Sequence, residues 1–282
     1  MVNLKQLDPS ASPLDYYGAE LRRLREAASL SQAELGHAVF CTASLIGQIE
    51  TALKVPTRDF SARVDAALGT DGMFSRLVGL VLRSQLPTWF QPYAEMESKA
   101  SYISAYEAQV IYGLLQTAEY ASAVLGAREC DALDALVEAR LERQRILNKD
   151  STPLMWVVLS EAVLHQEIGG RDVMRDQLKH LVVAQQREWL RVQILPFTAG
   201  AHAGLPGSYT MLRFEDDPDI VYTEDFVQGH MTANPQAVKE GSLRYDLMQA
   251  AALSVEESTE LIASVMEERY GHQPDPGGVA VA

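Results

Sequence analysis

Few stretches of this chain set reactive side chains at a spacing that chemistry could use. Glu161 and His165 stand four apart, so on a helix they share one face. With His202 and His230 they supply the residue types of a metal site, yet the spacing places no third ligand. A satisfied or solvated histidine is the ordinary alternative. There is no G-x-S-x-G elbow, phosphate-binding glycine loop or dinucleotide fingerprint. The expectation is therefore a chain with no catalytic residues, no metal and no cofactor, and not an enzyme.

The stretch with a specific pattern is Ser31 to Glu50. Ser31 with Glu34 three residues later makes an S-x-x-E capping box, in which each side chain satisfies a backbone N–H of the other. The helix it starts carries Ala33, Leu35, Ala38 and Val39 on apolar positions and stops near Phe40-Cys41. Thr42 caps a second short helix with Ile46 and Ile49 three apart on one face. Two short amphipathic helices joined by three or four residues form a helix-turn-helix pattern. The chemistry such a pattern offers is hydrogen bonding to base edges and phosphates, and Gln48 is the side chain best suited to it, because a glutamine can pair with adenine through two bonds. Glu50 is expected to cap or to form a salt bridge inside the domain.

These helices need a scaffold, and the flanking sequence supplies one. A first helix, about Leu14 to Ala28, turns Leu21 and Leu24 inward and Arg22, Arg23 and Arg25 largely outward, either as a solvated face or as phosphate contacts. Thr57 to Leu68 is a helix with Phe60, Val64 and Leu68 on one stripe, and Met73 to Leu82 closes a five-helix domain over residues 14–86. Residues 1–13 read as a mobile arm.

Length and charge divide the chain further. Its 282 residues suit two domains, and the two cysteines, Cys41 and Cys130, suit a reducing cytoplasm. No run of about 18 apolar residues is present to span a membrane, and the N-terminus lacks the basic and apolar segments of a signal peptide. The net charge is −14, but residues 1–86 hold nine basic and nine acidic side chains, while residues 87–282 hold 15 against 29. An acidic body repels phosphates, so contact with a nucleic acid is confined to the first domain.

From Leu86-Pro87 the composition shifts toward aromatics. Trp89, Phe90, Tyr93, Tyr102, Tyr106 and Tyr112 read as a core and dimer interface or as a pocket for an effector. Ala100 to Tyr106 is a short strand, Asp131 to Asn148 a long helix with a cationic end (Arg140, Arg143, Arg145, Lys149) matched to the helix dipole, and Leu154 to Leu159 a buried strand. Helices follow at about 161–168 and 171–190, then a strand at Val192 to Leu195. Phe197 to Gly207 is a loop whose glycine-rich part reads as a mobile lid or a plain connection. Ser208 to Phe214 and Ile220 to Glu224 form a hairpin. Asn234-Pro235 starts one helix, and Ser254 with Glu257 caps the last, to about Tyr270. The fold class expected is mostly α, with an α+β second domain over residues 87–270 holding a small, mainly antiparallel sheet, and a disordered tail over residues 271–282.

Two resemblances add to this reading. Leu21-Arg22-Arg23-Leu24-Arg25, Ser31-Gln32-Ala33-Glu34-Leu35, Ile46-Gly47-Gln48-Ile49-Glu50 and Pro56 resemble the DNA-binding domain of XRE-type, phage-repressor-like transcriptional regulators over residues 15–83. Phe40 and Ala52 stand where that family often has glycine, which leaves open that these turns are built differently. The resemblance implies Ala43, Ser44 and Gln48 at the bases, Gln32 and Thr42 at phosphates with help from backbone N–H groups, and Lys54 and Arg58 as further backbone contacts or plain surface charges. Further on, Trp89-Phe90 with Glu95 to Glu97, Gly113-Leu114-Leu115-Gln116-Thr117 with Glu119-Tyr120-Ala121, Arg140-Leu141-Glu142-Arg143-Gln144, and Leu195-Pro196-Phe197 with Ala199-Gly200 resemble the domain of unknown function that follows the helix-turn-helix in many actinobacterial regulators. Tyr112 stands where that family usually has proline. Such regulators are described as antitoxin-like and are often encoded beside a small partner protein. The joint expectation is a cytoplasmic homodimer on a palindromic double-stranded operator, with half-sites about 34 Å apart. Its second domain would dimerise and sense an effector or a protein partner. The alternative is an antitoxin-like interaction protein whose DNA binding is autoregulatory.

Overall fold

The computed structural model describes residues 7–127, 132–149 and 151–271. Cys130, Asp131 at the start of the expected 131–148 helix, residues 1–6 of the expected arm and all of the expected tail but Gly271 lie outside them. The chain divides into two compact units. One runs to Gln91 and takes in Asp134–Glu142; the other holds Pro92–Leu133 and everything from Arg143 onward.

The first unit contains α1 (Pro13–Ala27), α2 (Gln32–Ala38), α3 (Ala43–Glu50), α4 (Arg58–Leu68) and α5 (Met73–Ser84). Local capping sets most of the starts. The hydroxyls of Ser12, Ser31, Thr42 and Thr57 accept from the N–H groups of Asp15, Glu34, Leu45 and Phe60, each satisfying a donor the first turn would leave orphaned. The Ser31–Glu34 capping box is complete in both directions. α5 has no cap of its own; the Asp65 carboxylate of α4 takes that role, accepting from Phe74 N at 2.9 Å and Ser75 N at 2.8 Å.

The apolar stripes meet in one core of Tyr17, Leu21, Leu35, Val39, Ile46, Ile49, Phe60, Val64, Phe74, Val78, Val81 and Leu82, with Leu24 and Leu68 packed at its margin. Ala33 and Ala38, expected on the apolar side of α2, are exposed. The core draws α1 onto the end of α3 so tightly that a Cβ at Gly18 would stand 2.6 Å from the Ile49 carbonyl oxygen.

In the second unit, β1 (Tyr102–Glu107), β2 (Leu154–Ser160), β3 (Leu190–Leu195), β4 (Tyr209–Arg213), β5 (Ile220–Glu224) and β6 (Gly229–Thr232) form one sheet in the order β3-β2-β1-β4-β5-β6. The expected mainly antiparallel sheet is mixed. β1 pairs with β4, β4 with β5 and β5 with β6 antiparallel, but β1–β2 and β2–β3 run parallel. The reason is connectivity: helices separate those strands in sequence and supply the crossovers a parallel pair requires.

The remaining helices are α6 (Gln91–Glu97), α7 (Ala118–Leu125), α8 (Leu133–Arg143), α9 (Ala162–His165), α10 (Arg171–Ala184), α11 (Pro235–Ala251) and α12 (Val255–Tyr270), and of these α8 belongs to the first unit over Asp134–Glu142. α8 gives way to a 3-10 stretch at Gln144–Asn148, so the long helix expected there is shorter. α9 is a single turn. Asn234 caps α11, and Ser254 with Glu257 closes the capping box of α12. The loop from Phe197 to Gly207 is held down in part: Ala199 and Ala203 pack on the core of Tyr106, Val158, Leu195, Met211, Tyr245 and Met248. No helix among the described residues is long and apolar enough to cross a membrane.

Candidate nucleic-acid interface

α3 is a two-sided helix. Ile46, Ile49 and Glu50 are buried, while Ala43, Ser44 and Gln48 are exposed. Neither the Ser44 hydroxyl nor the Gln48 amide makes a side-chain hydrogen bond among the described residues, so donors and acceptors on that face are open to a groove edge. The Gln48 carbonyl accepts from Leu53 N at 2.8 Å and Lys54 N at 3.3 Å, which fixes the exit of α3 and keeps Lys54 beside it.

The turns on either side of α3 are where glycine was absent. Phe40 has φ 55° and Ala52 φ 56°, so both adopt the left-handed conformation glycine would take. The geometry is kept and the side chains bear the strain. Phe40 is 82% exposed, so nothing but the backbone holds it there.

The buried end of α3 carries the main electrostatic feature. Glu50 lies against Arg25, with Arg25 Nε 2.5 Å and Nη2 3.0 Å from its two oxygens, and Arg25 Nη1 donates to the Leu30 carbonyl at 2.7 Å. Glu50 thus forms the expected internal salt bridge. Arg25, expected to face largely outward, is buried instead. It stands four residues after Leu21 and shares its inward face, and the Glu50 carboxylate compensates its burial.

Gln32, expected at a phosphate, donates from Nε2 to the Glu50 carboxylate at 2.8 Å, so its side chain is committed within the unit. Thr42 is exposed with its hydroxyl engaged in capping. Arg22 pairs with Glu26 at 2.9 Å and Arg23 with Glu20 at 2.7 Å. Lys54 reaches the Asp134 carboxylate at 2.8 Å, and Arg58 clasps both oxygens of Glu142. Lys54 in turn holds the Asp134 carboxyl below its usual range.

The six aromatic residues expected to line one pocket are divided between the two units and, within the second, between the two faces of the sheet. Trp89 and Phe90 belong to the first unit, where their rings meet edge to face at 5.7 Å. Strand alternation divides the tyrosines of the second. Tyr106 lies on the sheet face of Met211, Tyr245 and Met248, and Tyr102, four residues before it, shares that face. Tyr93 stacks on Tyr222 at 3.8 Å on the opposite face. Its hydroxyl and that of Tyr112 donate to the buried Glu97 carboxylate at 3.0 and 2.7 Å. Arg143 completes this interior cluster 2.7 Å from Glu97, so it does not serve the helix dipole. Burial pushes both phenols far above their ordinary pKa and keeps them as donors.

The histidines take separate partners. His165 is 3.5 Å from Glu161, the His202 ring accepts from Gly204 N at 3.2 Å, and His230 is 3.0 Å from Asp225. Among the described residues no three His, Cys, Asp or Glu side chains are grouped as a metal site.

Comparison with known proteins accords with the two-part layout. Residues 17–73 match the model of a helix-turn-helix domain, and residues 90–264 match that of a domain of unknown function (DUF5753). No curated protein and no solved structure matches the chain. A helix-turn-helix followed by that domain is the arrangement of XRE-type regulators with a C-terminal domain of unknown function, and because the longer match spans more than half of the sequence, the chain belongs to the DUF5753 family.

Proposed function

We propose that the protein is a sequence-specific, double-stranded DNA-binding transcriptional regulator. It acts as a cytoplasmic homodimer, and its second unit supplies the dimer contact and the sensing of an effector or partner. It is not an enzyme. The observation that carries the reading is the exposed, uncommitted face of α3. Ala43, Ser44 and Gln48 point outward from a helix whose other side is locked into the core, as a recognition helix in a major groove requires. Ala43 would touch a thymine methyl, Ser44 would accept or donate without strong preference, and Gln48 would pair with adenine. Two copies on a palindrome supply the contact area that a single small module lacks.

The test is selection of bound duplexes from a randomised library, followed by sequencing. A palindromic consensus with half-sites about one helical turn apart supports the reading. Recovery of no preferred sequence, together with no retention of duplex at low salt, removes it.

The second reading is an antitoxin-like protein that binds a small partner encoded nearby and represses its own expression. β6 is the outer strand of the sheet, and Phe226, Val227 and Met231 on its hairpin are exposed, which leaves apolar side chains and strand backbone for a partner. Co-purification with the neighbouring gene product would favour it.

A further inference from the structure

Cations of the helix-turn-helix unit divide by the origin of their partners. Arg22, Arg23, Arg25 and Arg63 pair with Glu26, Glu20, Glu50 and Asp59, all from the same stretch of chain. Lys54 and Arg58 instead take carboxylates 80 and 84 residues away, from the part of α8 that belongs to this unit. Asp134, Glu138 and Glu142 recur every four residues, so they form one acidic stripe, and Asp134 and Glu142 stand about 12 Å apart along the helix. Buried Ala135 and Ala139 give α8 a small-residue face beside that stripe.

We propose that α8 holds the DNA-binding unit in an autoinhibited state, the Asp134 and Glu142 carboxylates occupying Lys54 and Arg58 where backbone phosphates would bind. This rests on the DNA-binding reading above. Lysine and arginine hold carboxylate and phosphate oxygens by the same charge-assisted hydrogen bonds, and the guanidinium fork grips either through two parallel bonds. The Lys54–Asp134 pair is open to solvent, with 46% and 82% of the side chains exposed, so it contributes little to stability and exchanges readily. Arg58–Glu142 is the tighter clasp. Because α8 comes from the acidic part of the sequence, withdrawing it exposes two positive charges and removes a negative stripe in one step.

The experiment compares full-length wild type, Asp134→Asn, Asp134→Asn/Glu142→Gln and a charge-matched control, Asp216→Asn/Asp217→Asn, in the exposed β4–β5 turn. Binding to a fluorescein-labelled duplex of arbitrary sequence is read by anisotropy across a salt series, with circular dichroism confirming the fold. Each freed cation that meets a phosphate steepens the slope of log K against log salt by about 0.9. The single variant should steepen it by about 1. The double variant should steepen it by about 2 and bind at least about tenfold tighter at 0.1 M salt. If all four proteins bind alike, or the control gains as much as the double variant, the autoinhibitory contact is refuted while DNA binding stands. If none binds the duplex at any salt, the DNA-binding reading itself falls. Should the double variant unfold, the single variant, altered only at an exposed pair, decides by its slope.

Discussion

Arg25 and Glu50, twenty-five residues apart in sequence, close a two-pronged ion pair inside the helix-turn-helix unit, with side chains 9% and 2% exposed. The pair joins the end of α1 to the end of α3, and Gln32 from the start of α2 adds a third bond, so one carboxylate ties together three helices. Removing its charge leaves Arg25 buried without compensation. Glu50→Gln should therefore lower the stability of this unit by about 3 kcal/mol or more, read as an earlier urea midpoint. Arg22→Ala, which breaks only a solvent-facing pair, should change it by less than about 1 kcal/mol.

Gln48 carries the specificity prediction. Gln48→Ala should cost about 1–3 kcal/mol on the selected operator and relax preference at a single base pair, leaving binding to arbitrary duplex nearly unchanged. Titration of the operator and its single-base variants checks this, and an unaltered profile across all variants would sink the assignment.

The two strained turns make a prediction of opposite sign. A side chain in the left-handed region costs roughly 1–2 kcal/mol, part of which glycine returns as chain entropy in the unfolded state. Phe40 and Ala52 are held there at φ 55° and 56°. Phe40→Gly and Ala52→Gly should each stabilise the unit by about 0.5–1 kcal/mol, visible as a rise in its thermal midpoint. Phe40→Val, which crowds the same backbone with a β-branched side chain, should lower it.

What the sequence revealed here was local, and what it hid was distant. The capping boxes at Ser31–Glu34 and Ser254–Glu257 are legible because all their atoms lie within four residues. The inward face of α1 was legible in Leu21 but not in Arg25, whose burial depends on a carboxylate at position 50. Likewise Lys54 and Arg58 look free until Asp134 and Glu142 are brought to them by the fold. β6 escaped notice because His230, Met231 and Thr232 are all exposed, so no alternation marks it, and it is a strand only because β5 pairs with its backbone. The parallel β1–β2 pairing joins residues about fifty apart, beyond the reach of any hairpin signal. The short helix α6 was masked by its aromatic neighbours, which read as a composition shift.

Asp65 gives the unit a pH dependence. Burial raises its pKa, but the bonds it accepts from Ser75, Thr70 and Phe74 outweigh that and leave it below the ordinary carboxylate value. The unfolded chain therefore binds a proton more readily than the folded one, so the contribution is complete above the unfolded pKa of about 3.9 and is lost as pH falls through the lower folded value. Acid titration followed by circular dichroism should show the wild type losing stability below about pH 4 more steeply than Asp65→Asn, which should be less stable at pH 7 because α5 has no other side-chain cap.

Glu97 and Arg143 make the corresponding prediction for the second unit. The carboxylate is fully buried, the guanidinium nearly so, and Tyr93 and Tyr112 spend their hydroxyls on the same carboxylate. A cluster of this kind specifies a single arrangement of α6, the turn at Tyr112 and the end of α8 more than it adds net stability, since two desolvated charges repay little beyond their own burial. Glu97→Gln should cost about 3–5 kcal/mol by leaving Arg143 uncompensated, and Arg143→Met should cost a comparable amount by leaving Glu97. Combining Glu97→Gln with Arg143→Met removes both charges at once, keeps an amide oxygen as acceptor for the two phenols, and should recover most of the loss. Urea unfolding of the four proteins decides it. Single and double variants losing stability in simple addition would show that the two side chains do not act as a pair, whereas recovery in the double variant requires that they do.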